Sequence, residues 1–323
     1  MPDDNALNGA AITIRQKTLR NSVHCSGIGL HSGATVAMSI HPAPENAGIR
    51  FHRTDLAGKN ASVAASWRNV VDAQLCTALQ NEAGVMVATV EHAMAALYGC
   101  GIDNADIEVS AGELPIMDGS AWPFVFLIEC AGIREQAAPR RAIGIAKRVE
   151  VGDSHRWAAL SPAEDFSVSV AVDYGDCAIA RQRYDGRVSE ENFKGELARA
   201  RTYGFLTDAE QLRAAGLARG ASLDNAIVVE GERVLNRGGL RYANELARHK
   251  ALDAIGDLYL AGAPIVGAFE GLRSGHKLYH RLLAALFADD AAWRWTTQTP
   301  ALPADIVVMV PGAADPVQGR LSA

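Results

Sequence analysis

Arg248-His249-Lys250-Ala251-Leu252-Asp253-Ala254-Ile255-Gly256-Asp257 is the stretch on which the chain turns. Strong helix formers surround it and its apolar residues recur at three- and four-residue steps, so the spacing predicts a helix. Residues four apart on a helix lie one above the other. His249 and Asp253 therefore present an imidazole and a carboxylate to one point, with Asp257 a turn further on. Such a pair is often a plain surface contact, but it also makes two-thirds of a metal site or orients a histidine. The choice depends on whether the rest of the chain brings a third ligand and catalytic groups.

The 323 residues leave room for two domains, each with its own core. A net charge of −6, with the basic residues scattered, argues against a general nucleic-acid binder. Five cysteines, an odd number without C-x-x-C spacing, fit a reducing compartment and exclude a cysteine-only zinc site. Residues 1–11 are small and polar, lack the apolar core of a signal peptide, and read as a flexible tail. No apolar run reaches the length of a transmembrane segment. A cytoplasmic protein without a nucleic-acid partner is expected.

Outward from the opening stretch, residues 12–40 alternate like strands around Gly27-Ile28-Gly29-Leu30-His31-Ser32-Gly33, whose glycines imply a tight turn. That turn matches neither a dinucleotide fingerprint nor a P-loop. A helix is expected after Thr89, read as its N-cap, with Glu91 and His92 in its first turn. An acidic residue there complements the helix dipole. An imidazole gains nothing there unless it is neutral and partnered, which is how a metal ligand beside a base would look. Residues 134–141 are polar and carry Pro139, so the linker is placed there. Thr207-Asp208-Ala209-Glu210 reads as a capping box. Asp103-Asn104-Ala105 and Asp224-Asn225-Ala226 each lead into a strand, which suggests a repeated plan. The final helix is expected from residue 278.

These elements predict an α+β fold of two similar domains, each a β-sheet layered with helices as a two-layer sandwich half, with the site between them. The expected boundaries are a tail at 1–11, domains at 12–134 and 142–303, a linker at 135–141 and a C-terminal tail at 304–323.

Four histidines sit in distinctive stretches: His31, His92, His249 and His276. The other five (His24, His41, His52, His155, His280) lack a partnered setting and default to solvated or core roles. Taken together, Thr89-Val90-Glu91-His92, His249-Lys250-Ala251-Leu252-Asp253 and Ser274-Gly275-His276 resemble one family. It is the zinc-dependent UDP-3-O-acyl-N-acetylglucosamine deacetylases, which take the committed step of lipid A synthesis. The likeness runs from about residue 14 to 288 and includes residues 27–33, Leu75-Cys76-Thr77, residues 101–104, 115–120, 201–205 and 267–269.

The resemblance implies that His92, His249 and Asp253 bind one zinc ion, a set that Fe2+ also suits. It implies Glu91 as general base, His276 as general acid, Asp257 as the partner of His276, and Thr202 as a donor to the developing oxyanion. Lys250, on another face of the helix than the ligands, would reach the substrate's phosphates, with Tyr203, Arg273 and His31 also contacting substrate. Arg273 and Tyr203 stand where family members often have Lys and Phe, and Arg is no neutral exchange for Lys at a phosphate. The substrate would be a UDP-acyl-sugar with a fatty acyl chain, a passage for which involves residues 174–193, and the protein a monomer. Two alternatives stay open at this point. A non-haem iron oxygenase uses the same two-histidine, one-carboxylate set; a non-catalytic sugar-nucleotide-binding homologue would keep the fold alone.

Overall fold

Residues 14–58, 60–175, 179 and 181–297 are described by the computed structural model; the expected tails at 1–11 and 304–323 lie outside them. The described residues hold six α-helices: α1 (Glu91–Gly99), α2 (Trp122–Ala131), α3 (Glu190–Asn192), α4 (Ala209–Ala214), α5 (Glu245–Tyr259) and α6 (His276–Phe287). The fold is α+β, with several sheets.

The repeated plan is present in the pairing of the strands. In the first half, a five-stranded sheet runs in the order Val23–Ile28, Thr35–Pro42, Ala105–Val109, Ile49–Arg53, Ser62–Ala64. Its central strand, Ala105–Val109, pairs antiparallel with Thr35–Pro42 and parallel with Ile49–Arg53. In the second half, Ile265–Leu272 pairs antiparallel with Trp157–Ser161 and parallel with Phe166–Asp173. Val149–Gly152 and Arg181–Arg187 complete the same five-strand order at the edges. Helices α1 and α2 flank the first central strand in the chain, and α5 and α6 flank the second. The D-N-A echo misplaces the correspondence, because Ile227–Glu230 belongs to a separate three-stranded sheet. The true counterpart of Ala105–Val109 is Ile265–Leu272.

The expected linker at 135–141 is strand and not loop. Ile133–Pro139 pairs antiparallel with Arg15–Leu19, and Arg141–Ile145 joins the second sheet against Ile265–Leu272 and Trp293–Thr297. Its polarity misled because all but one of the side chains of Ile133–Pro139 are exposed or half-buried; Pro139 is tolerated at the strand's end. Two expected caps also fail. Thr89 takes a positive φ of 58° and its hydroxyl donates to Glu113 Oε1, leaving Val90 as the uncapped N-cap of α1. Thr207 donates to Asp208 Oδ1, within a 3-10 turn that precedes α4.

Helices α1 and α5 pack against each other, and α5 also lies on Phe166–Asp173 and against α6. A helix covered all round is normally apolar. Yet α5 buries Glu245, His249, Asp253 and Asp257, so each of these must find a partner. Glu245 does so with Arg201, which donates from Nε at 2.8 Å and from its backbone N–H at 3.1 Å. That pair fixes residues 200–203 beside the first turn of α5.

The contact between α1 and α5 is close because Gly256 has no side chain. A Cβ there would lie 2.1 Å from the carbonyl oxygen of Glu91, in the backbone of α1. Gly256→Ala should therefore force the helices apart and lower stability by about 1–3 kcal/mol, the usual penalty of overpacking. Urea titration of the two proteins checks this; an unchanged midpoint would show that the contact is not tight.

Candidate metal centre and active site

His92 comes from the first turn of α1, and His249 and Asp253 from successive turns of α5. The close helix contact brings their rings to 4.9 Å between the two imidazole centroids. One ligand atom from each of the three residues lies within 4.8 Å of the others, and all three side chains are buried.

The donor set fits a cation. His249 Nδ1–H donates to the carbonyl of Ala200 at 3.0 Å, and burial lowers its pKa to about 3, so the ring is neutral. Nε2 then carries a lone pair and faces Asp253 Oδ1 at 3.3 Å. His92 Nε2 lies 3.6 Å from the same oxygen. Asp253 Oδ1 has no hydrogen-bond partner among the described residues although it is buried. A lone pair facing a carboxylate oxygen in a buried site repels it unless a positive ion lies between them. Two imidazole nitrogens and one carboxylate oxygen, with a position left open, suit a catalytic divalent metal. The backbone bond from His249 to Ala200 supplies the outer partner that fixes a ligating imidazole.

Lys250 corrects its expected orientation. It does not lie on a separate face; its Nζ donates to Asp253 Oδ2 at 2.7 Å and is largely covered. Burial alone would lower the pKa of Lys250, but Asp253 beside it holds it well above the usual range. The same contact holds Asp253 well below its ordinary value against the opposing effect of burial.

His276 opens α6 and donates from Nδ1 to Asp257 Oδ2 at 2.7 Å, with Nε2 turned towards Asp253 Oδ2 at 3.9 Å. Burial works against its charge, but Asp257 outweighs burial and raises the pKa to about 9. Asp257, wholly buried, is held below its usual range by His276 and His280 despite its burial. Glu91 shows the opposite balance: burial raises its pKa above the usual carboxylate value although His276 and His92 are near. Its Oε2 accepts from the backbone N–H of Thr77 at 3.1 Å. The site thus holds a carboxylate made more basic and an imidazole held as a cation, side by side.

The other expected residues are less central. Thr202 donates its backbone N–H to Gly119 at 2.8 Å, two residues beyond the Ala200 carbonyl that holds His249. Tyr203 shares a 2.5 Å hydrogen bond with Tyr174, and its ring stands 6.1 Å from that of His249. His31 accepts a 3.4 Å bond at Nδ1 from Ala218, while its buried Nε2 has no partner among the described residues. Glu113 holds the turn around His31 through the backbone N–H groups of His31 and Ser32. Arg273 is exposed, with a φ of +47°, and its charge acts on Asp173 outside the donor set.

Sequence reasoning passed over Thr77 and His280. Thr77 Oγ1 donates to Asp257 Oδ1 at 2.5 Å and lies 3.1 Å from His280 Nε2. His276 and His280 stand four apart on one helix face, a signal hidden by starting that helix at residue 278.

Two repeated α+β halves joined at a two-histidine, one-aspartate set, flanked by a buried carboxylate and a cationic imidazole, define a hydrolytic enzyme with donors for a metal ion. Comparison with known proteins narrows the class. The family model described as "LpxC: UDP-3-O-acyl N-acetylglycosamine deacetylase" matches residues 16–288. The chain is 50% identical over 286 residues to the UDP-3-O-acyl-N-acetylglucosamine deacetylase of Chromohalobacter salexigens, covering 88% of this chain and 94% of the relative. It is 50% identical over 282 residues to that of Phenylobacterium zucineum, covering 87% and 96%. For that of Haemophilus influenzae the figures are 48% over 288 residues, covering 88% and 93%. This chain belongs to the UDP-3-O-acyl-N-acetylglucosamine deacetylase family. Membership sets aside the oxygenase and binding-module readings. Among the described residues, no helix is long and apolar enough to cross a membrane.

His249→Ala should remove one ligand and leave Asp253 Oδ1 without its neighbour, so the purified protein loses bound metal. Elemental analysis after gel filtration checks this; metal retained in stoichiometric amount would reject His249 as a ligand.

Proposed function

We propose that the chain hydrolyses the N-acetyl group of UDP-3-O-(3-hydroxyacyl)-N-acetylglucosamine to the free amine and acetate, the committed step of lipid A biosynthesis. His92, His249 and Asp253 hold a zinc ion, a set Fe2+ also fits. Zinc there supplies Lewis-acid polarisation of the amide carbonyl and makes water acidic enough to attack near neutral pH.

The remaining steps belong to side chains. Glu91 takes the proton of the attacking water: one of its oxygens is held by Thr77 N–H, and burial has raised its affinity for a proton. His276 protonates the departing amine from Nε2, because Nδ1 is committed to Asp257. Asp257 keeps that imidazole charged and oriented. The Thr202 hydroxyl donates to the developing oxyanion. Lys250 balances the charge of Asp253 at rest and contacts the substrate's phosphates, with Arg273 further out at the rim. Tyr203 and His31 contact the bound substrate; the aromatic group of Tyr174, Tyr203 and Phe205 offers apolar surface for the acyl chain. The protein works as a cytoplasmic monomer, its chain divided near residues 135–141.

The observation that carries this reading is geometric: beside the His92, His249 and Asp253 donor set stand Glu91, with one oxygen held by Thr77 N–H, and His276, with Nδ1 bonded to Asp257 at 2.7 Å. Glu91→Gln should keep the metal and lower deacetylation by about 10²–10⁴-fold. Acetate release from the UDP-acyl-sugar, measured beside metal content, checks it, and full activity would remove Glu91 from the chemistry.

The pH dependence follows from the sign of the His276 shift. The acid must be protonated, so the activity it supports is lost as pH rises through its pKa. Asp257→Asn removes the charge that raises this pKa, and the alkaline limb of kcat/KM should move to lower pH. An unmoved limb would dissociate Asp257 from the acid.

A further inference from the structure

Behind the acid stands a histidine without a part in the chemistry above. His280 lies one turn beyond His276 on α6, and the two rings face each other at 6.5 Å with 27° between their planes. His280 Nε2 is 3.1 Å from Thr77 Oγ1 and 3.7 Å from Asp257 Oδ2. Thr77 Oγ1 is in turn 2.5 Å from Asp257 Oδ1.

The direction of each hydrogen bond follows from counting protons. A threonine hydroxyl has a single proton, and an ionised carboxylate can only accept. The Thr77 proton therefore goes to Asp257, at the shorter distance. The hydroxyl oxygen is left as an acceptor, so His280 donates to it from Nε2 at 3.1 Å, and His276 Nδ1–H, whose shorter bond goes to Asp257, also lies 3.2 Å from it. The result is a one-way chain, His280 Nε2–H to Thr77 Oγ1–H to Asp257 Oδ1. On the other carboxylate oxygen, Oδ2, Asp257 accepts from His276 Nδ1. Thr77 also donates its backbone N–H to Glu91, so one residue touches both the base and the partner of the acid.

We propose that His280 is a positioning residue for the deacetylation acid: through Thr77 it fixes the Asp257 carboxylate, so that His276 keeps Nδ1 on Asp257 and presents Nε2 to the departing amine. This rests on the reading of His276 as that acid. A proton relay is excluded by the same counting. His276 gives up its Nε2 proton, whereas the chain ends at Nδ1, which keeps its own. The contribution of His280 is thus to the geometry of the transition state and falls on kcat, not on KM.

The test uses the zinc-loaded full chain, with kcat and KM measured for His280→Ala, His280→Leu, His280→Gln, Thr77→Val, the Thr77→Val/His280→Ala double variant and His276→Ala. His280→Ala should lower kcat on the order of tenfold with KM unchanged, the scale of a small misplacement of a catalytic group. His280→Leu, which keeps the volume and lacks the donor, should match it and replaces it if the alanine variant does not fold. His280→Gln, whose amide N–H reaches the place of Nε2–H, should recover most of the rate. The double variant should be no slower than Thr77→Val. In imidazole ¹H–¹⁵N spectra of the metal-free protein, the His276 Nδ1–H signal should broaden in His280→Ala and sharpen again in His280→Gln. A parental kcat in the alanine and leucine variants, a glutamine variant as slow as they are, or additive losses in the double variant would overturn the proposal. A fully active His276→Ala would instead overturn the reading of the acid, and the His276 signal alone would then decide whether His280 orients that ring.

Discussion

The close crossing of α1 and α5 at Gly256 is the constraint on which the rest depends. Any side chain there would meet the backbone carbonyl of Glu91. With only hydrogen at that point, the first turn of α1 lies against the middle of α5, and His92 reaches the pair formed by His249 and Asp253. Each half of the chain then supplies what the other lacks. The same contact places Glu91, whose neighbour in sequence is the candidate ligand His92, beside the candidate ligands from the other half. The repeated topology explains why two central helices meet in this way: α1 and α5 precede equivalent central strands.

Bringing these helices together has an electrostatic cost. Glu91, Asp253 and Asp257 are buried, and an unpaired buried charge is strongly unfavourable. Lys250 and the cationic His276 answer two of the carboxylates. The remaining excess of negative charge, together with the neutral ring of His249 and an Asp253 oxygen without a partner among the described residues, suits the centre to a cation. The surroundings shift Glu91 and His276 for different reasons. Burial raises Glu91 against the opposing charge of His276, while burial beside Asp257 still leaves His276 charged.

Much of this was legible in the sequence, for reasons that differ by residue. The helix and the shared face of His249 and Asp253 follow from periodicity and needed nothing else. His92 could be suspected from its neighbour Glu91, but no local pattern links it to a helix in the other half; only the resemblance did so. Lys250 was misjudged because a helical wheel assigns faces and ignores the reach of a long side chain, which folds back onto Asp253. The strand conformation of residues 133–139 was not legible, because a strand whose side chains mostly reach water is as polar as a loop. The roles of Thr77 and His280 were not legible, although Thr77 lies in one of the resembling stretches and His280 stands four residues after His276. Their importance lies in hydrogen bonds across long sequence separations, and the helix that pairs His280 with His276 begins two residues earlier than its apolar pattern suggests.

X-ray absorption at the zinc edge of the purified protein tests the central claim most directly, since it counts the ligands that the joined halves supply. One zinc per chain with two imidazoles and otherwise oxygen in its inner shell is the expected result. A single imidazole, or a sulfur from the nearby buried Cys76, would contradict a site built by α1 and α5 together.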